Sequence, residues 1–134
     1  MAGVIFEGLD GMPNSKPRDL CDRTFLFACD IVAFCLALSQ RPGAHRQIAG
    51  QLLRAGTSVG ANAEEARAAY SRREFACKNS VVLREARESR FWLRLIAATR
   101  LVPTPSVEPL LAEVNELVGI YTATVKKAKQ PLRN

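Results

Sequence analysis

Apolar residues recur along this chain at alternating steps of four and three, the spacing that lines one face of an α-helix. The pattern is cleanest between Ser71 and Leu101, a stretch without glycine or proline. There Phe75, Asn79, Val82, Ala86, Ser89, Leu93 and Ile96 form one seam. A second seam of Cys77, Val81, Arg84/Glu85, Glu88, Trp92 and Leu95 runs beside it and carries charge in its middle. Ser71-Arg72-Arg73-Glu74 opens the stretch with the spacing of a capping box, in which hydroxyl and carboxylate each satisfy an orphan backbone N–H. Leu101-Val102-Pro103 closes it, because proline cannot continue the ladder and restricts the residue before it. At 1.5 Å per residue the stretch predicts a rod of about 45 Å.

Three further helices follow from the same periodicity. The first runs from about Asp22, its expected cap, to Ser39 before Arg41-Pro42-Gly43. Its apolar positions, from Phe25 through Leu38, cover nearly the whole circumference. A helix apolar all round must be covered all round, and a four-helix bundle hides only about half of each helix, so a partner subunit is expected there. The second runs from Gly43 or Ala44 to Tyr70, with Ile48, Leu52, Ala55, Val59, Asn62, Ala66 and Ala69 in its seam. Gly56, Gly60 and Ala63 make a small-residue edge beside it. Interior glycines cost about 1 kcal/mol each relative to alanine, so either another backbone packs closely here or the helix bends at Gly56. The fourth helix starts at Thr104 as cap with Pro105 in the first helical position. It continues to about Lys129 along Val107, Leu110/Leu111, Val114, Leu117/Val118, Tyr121 and Val125. Four long helices with short connections predict an all-α, antiparallel up-down-up-down bundle over residues 21–130. Residues 1–20, rich in glycine and proline, are expected to form a disordered leader, and residues 131–134 a short tail.

Length and composition fit one domain with a true core. No apolar run approaches the roughly 18 residues of a membrane span, and no signal-peptide succession opens the chain; a cytoplasmic location and no membrane partner are expected. The four cysteines form no Cys-x-x-Cys pair, and His45 is the one histidine. Buried thiols in a reducing compartment are expected, with no metal and no cofactor.

The net charge of +6 changes the picture because it is unevenly placed. Residues 71–101 hold eight basic side chains against three acidic, and Lys126, Lys127, Lys129 and Arg133 follow at the end. Antiparallel third and fourth helices bring Arg72 and Arg73 near those lysines, so one pole of the bundle is expected to be strongly basic. A phosphate backbone is the natural partner of such a surface. The candidate contacts are Arg72, Arg73, Lys78, Arg87, Arg90, Arg94, Arg100, Lys126, Lys127 and Lys129. Tyr70 and Phe75 are near the pole but form no stacking platform. A solvated basic face is the plain alternative.

Catalytic constellations are scarce. Glu85 and Glu88, one turn apart beside Trp92, suggest with Glu64 or Glu65 the carboxylates of a di-iron bundle, but that site needs a Glu-x-x-His pair from each of two helices. The sequence instead points to a structural polar layer of Asn62, Glu65, Arg84, Glu85 and Glu88. No enzymatic activity is expected.

The segment Gln51-Leu52-Leu53-Arg54-Ala55-Gly56-Thr57-Ser58-Val59-Gly60-Ala61-Asn62-Ala63-Glu64-Glu65-Ala66 carries a family resemblance. So do Ser71-Arg72-Arg73-Glu74-Phe75 and Leu83-Arg84-Glu85-Ala86-Arg87-Glu88-Ser89-Arg90-Phe91-Trp92-Leu93. From about Asp22 to Lys129 the chain resembles the bacterial four-helix-bundle family named for proteins encoded in intervening sequences of 23S ribosomal RNA genes. It departs from the commonest form at Gly56 and Gly60, where many relatives carry Ala and Pro. The resemblance implies a ring-like homopentamer with no established activity. Accessory proteins of diversity-generating retroelements share that architecture and use a basic surface to bind nucleic acid and a reverse transcriptase. The expected function is therefore a non-enzymatic homo-oligomer binding RNA or DNA non-specifically. The alternatives are a scaffold for an acidic partner protein and a small-ligand site in the polar layer.

Overall fold

A computed structural model describes residues 19–131. The segments expected as leader and tail fall almost wholly outside the described residues. Four helices follow in order: α1 Leu20–Leu38, α2 Ala44–Arg67, α3 Arg72–Ala98 and α4 Thr104–Ala128. Each packs on the next, while α1 and α4 touch sparingly. Antiparallel pairing is evident from side chains far apart in sequence. Arg54 of α2 meets Glu85 and Glu88 of α3, and Arg72 at the start of α3 meets backbone carbonyls at the end of α4.

The boundaries differ from expectation where backbone donors and acceptors find other partners. The cap of α1 is Asp19, whose carboxylate accepts the N–H of Asp22 at 2.9 Å; Asp22 itself lies in the first turn, where its charge suits the macrodipole. Helix α2 ends at Arg67 rather than Tyr70, and Tyr70 is 91% exposed, already out in the connection. Ser71 caps α3 as expected and accepts the N–H of Glu74 at 3.0 Å, but the reciprocal bond of the capping box is not formed among the described residues. At the other end α3 stops at Ala98, three residues early. Leu101 N–H bonds Ile96 O and Arg100 N–H bonds Ala97 O, both at 3.2 Å, with Arg100 at φ +54°. These two bonds define a Schellman stop, which favours glycine at the position Arg100 occupies. For α4 the cap is Pro103, whose carbonyl accepts Ser106 N–H at 2.9 Å. Thr104 is thus the first helical residue and not the cap. Pro109, one turn after Pro105, lies within α4 without ending it.

The seams meet in a single core. Phe27, Ile31, Leu52, Val59, Val82, Leu93, Ile96, Val107, Val114 and Leu117 are fully or almost fully buried. Phe75, placed in the α3 seam, is instead 40% exposed, because the core has ended by the first turn of that helix. The α1–α2 contact is close. A Cβ added at Gly56 would lie 2.8 Å from both Cγ atoms of Ile31, and one at Gly60 would lie 3.2 Å from the Thr24 carbonyl oxygen. Close approach is therefore what the glycines serve, and α2 runs unbroken through them. On the far side of α1, Phe25, Val32 and Leu36 remain exposed. With half-buried Cys29 they fall at steps of four, three and four, an apolar stripe that nothing among the described residues covers.

Candidate nucleic-acid interface

Arg23, in the first turn of α1, forms a forked pair with Glu113 at 2.8 Å and reaches Glu116 at 3.0 Å. These anions support the guanidinium and raise its already high pKa, with the Glu113 hydrogen bond foremost. Because α1 begins level with the middle of α4, the last turns of α4 run on beyond it, alongside the start of α3. That overhang is the basic pole.

Within the pole the cations do different things. Arg72 Nη2 donates to the carbonyl of Gln130 at 2.7 Å and of Lys127 at 3.5 Å. It closes the C-terminal end of α4, whose last carbonyls have no intrahelical donor. Arg73, Lys126, Lys127 and Lys129 are exposed. An open groove of about 850 Å³ lies between the helices, with Arg72, Arg73, Arg84 and Lys129 around it and Ala76, Val81 and Pro131 as apolar lining.

Beyond the pole the basic surface continues along α3. Residues 73, 77, 80, 84, 87, 91, 94 and 98 step by four and three along the side opposite the buried seam. They read Arg, Cys, Ser, Arg, Arg, Phe, Arg, Ala, and all are exposed except half-buried Ser80. Lys78 and Arg90 are half-buried and flank this strip rather than joining it. Arg87, Arg90 and Arg94 make no ion pair among the described residues. Arg100 stands apart, in the turn at the opposite end of α3, near His45 and Arg41 around a second groove between the two inter-helix turns.

The polar layer is organised around a residue that the sequence reasoning did not select. Arg54 of α2 pairs with Glu85 at 3.3 Å and with Glu88, and Trp92 Nε1 donates to the same Glu88 oxygen at 3.1 Å. Asn62 and Glu65 are not part of this cluster. The Asn62 amide donates to Ser58 O one turn back in its own helix, and Glu65 is exposed. Arg84 is mostly exposed, 3.9 Å from Glu85. The missing signal is hairpin register: two antiparallel helices joined at residues 68–71 place position 54 opposite 85.

Burial shifts two core groups strongly. Cys35 is pushed up to about 12 and Tyr121 to about 12, in both cases chiefly by desolvation. A thiol held protonated in this way is a poor nucleophile. Among the described residues no group of His, Cys, Asp and Glu is placed to hold a metal ion, and no helix is long and apolar enough to cross a membrane.

No curated protein matches the chain. A crystal structure from Bacteroides thetaiotaomicron, of a protein with unknown function from the S23 ribosomal protein family, is similar at a TM-score of 0.72 and 31% identity, over 79% of this chain and 97% of that one. Residues 18–123 match the 23S rRNA-intervening sequence protein family, a span that includes all of α1, α2 and α3 and most of α4. With the four-helix fold and the second-helix and third-helix motifs in place, the chain belongs to the 23S rRNA-intervening sequence protein family.

Proposed function

We propose that this protein is a non-enzymatic, cytoplasmic homo-oligomer that holds RNA or DNA by its phosphates. One observation carries the reading: a strip of exposed arginines on α3, with Arg87 and Arg94 making no ion pair among the described residues, runs on into the lysine-rich end of α4. From Arg73 to Arg94 the strip is about 30 Å long, enough to follow several phosphates. Unpaired surface arginines have little to gain from the protein itself, whereas each phosphate they neutralise releases counterions. Binding of this kind is tolerant of sequence and sensitive to salt.

The oligomer in this proposal forms through the apolar stripe of Phe25, Cys29, Val32 and Leu36. Leaving such side chains in water forgoes roughly 1.5–3 kcal/mol for each one that a partner would fully bury. A ring of five subunits, as the family resemblance implies, repeats the basic strip around its rim and multiplies weak contacts.

The test is a titration of labelled single-stranded RNA and duplex DNA at several salt concentrations, with light scattering alongside. Affinity falls steeply as salt rises. Replacing Arg73, Lys126 and Lys127 by Glu abolishes binding and leaves the subunit number unchanged. Arg72 is left intact in that variant because it closes α4, so its loss would confuse folding with binding. Absence of binding at low salt overturns the proposal and leaves an acidic partner protein as the reading of the charge.

A further inference from the structure

We propose that the nucleic acid on this strip is single-stranded and that Phe91 is the surface on which one of its bases stacks; this rests on the nucleic-acid reading above. Phe91 is 54% exposed in the middle of a well-formed helix, in a strip otherwise made of cations and small residues. Arg87 lies one turn before it and Arg94 one turn after, both exposed and both without an ion pair among the described residues. Those two guanidinium-bearing positions are about 10 Å apart along the axis, with the ring between them. A planar apolar group flanked by cations matches a nucleotide, with its base between two phosphates.

The ring is also braced. Trp92 and Phe91 form a T-shaped pair, centroids 4.9 Å apart and planes at 75°. Trp92 is held by its hydrogen bond to Glu88, and Glu88 is held by Arg54. A T-shaped neighbour occupies at most one face of Phe91, leaves the other to solvent, and limits the ring's freedom before any ligand arrives, which lowers the entropy cost of stacking. Bases in a duplex are stacked on one another and offer no face to such a ring, whereas unpaired bases do.

The experiment compares oligo(dT) and oligo(rU) with a mixed-sequence duplex, using the full chain and three variants, Phe91→Ala, Phe91→Leu and Phe91→Trp. Trp92 is the one tryptophan of the chain, so its fluorescence reports directly on events at the neighbouring ring. Single strands are expected to change Trp92 emission. Phe91→Ala and Phe91→Leu weaken single-strand binding about tenfold, with the salt slope and duplex affinity unchanged. Phe91→Trp, which restores a stacking face, binds single strands as the parent does.

Equal single-strand affinity in the parent and Phe91→Ala overturns the stacking role while leaving the phosphate reading standing. A Phe91→Leu variant that binds like the parent does the same, since apolar bulk without an aromatic face then suffices. If Phe91→Ala changes the subunit number in light scattering, the ring is a contact between copies and the inference falls. If the parent binds no nucleic acid at low salt, both proposals fall together.

Discussion

Glu85 and Arg54 face each other across the α2–α3 contact at 3.3 Å, and the burial of the two partners is unequal: 11% of the Glu85 side chain is exposed against 50% of Arg54. The carboxylate is thus nearly out of water and depends on a guanidinium that is not. Removing the exposed partner leaves the buried one with only the longer, solvent-exposed contact to Arg84 at 3.9 Å. Arg54→Ala is expected to cost about 2 kcal/mol, below the roughly 3–5 kcal/mol for breaking a fully buried pair, because Arg54 is itself half solvated. Chemical denaturation followed by circular dichroism measures it. Replacing Arg54 and Glu85 together by apolar residues should recover most of the loss, since no charge is then left buried.

The two α2 glycines at the α1 contact are distinguished from those in open positions by what a methyl group would meet. At Gly56 the new Cβ falls 2.8 Å from two carbons of Ile31, which is fully buried and branched at its own Cβ. Gly56→Ala is expected to lose about 1–2 kcal/mol, overpacking outweighing the helix-propensity gain of about 1 kcal/mol. Gly50→Ala and Gly119→Ala, where nothing lies within 4 Å, should instead gain about 0.5–1 kcal/mol. A stabilised Gly56→Ala variant would show that α1 and α2 can part without cost.

Arg100 occupies a left-handed conformation, φ +54°, at the end of α3. Arg100→Gly is expected to raise stability by roughly 1 kcal/mol by removing a Cβ from that region. The same substitution deletes a charge far from the basic pole. Thermal melting should therefore rise, with little change in nucleic-acid affinity. A large fall in affinity would place the interface at the wrong end of the bundle.

Alkaline pH is expected to destabilise the fold. Burial raises Cys35 from 9.0 to about 12 and Tyr121 from 10.0 to about 12. Both groups are neutral when protonated, so the folded chain keeps protons that the unfolded chain gives up. Their contribution is complete below pH 9, the ordinary thiol value, and is lost as pH climbs toward 12. Each group removes about 1.4 kcal/mol per pH unit once its unfolded form titrates. Denaturation midpoints measured across that range test the slope, which should be shallower in Cys35→Ala.

Periodicity alone was enough for the architecture. Four amphipathic repeats, separated by proline, glycine and a serine cap, have few ways to bury their seams other than side by side. The buried sets of α2, α3 and α4 follow the expected positions closely, with Phe75 the clear exception. Helix ends were less legible, because a cap depends on which neighbouring group reaches an orphan N–H or C=O. Asp19 and Asp22 are equally good caps by type, and only the backbone path selects between them. The basic pole was legible for the same reason as the fold, since antiparallel neighbours bring distant charges together.

Tertiary structure alone decided what each charge does. Arg72 and Arg73 are adjacent and identical in chemistry, yet one closes α4 and the other faces solvent, because successive residues on a helix point about 100° apart. Arg54 acquires its two carboxylates through the α2–α3 register, a relation between positions more than thirty residues apart that no local spacing encodes. Phe91 presented the same ambiguity in the sequence as any aromatic residue of α3. Its exposure is settled by the phase of the helix against the core, and that phase comes from packing against the other helices.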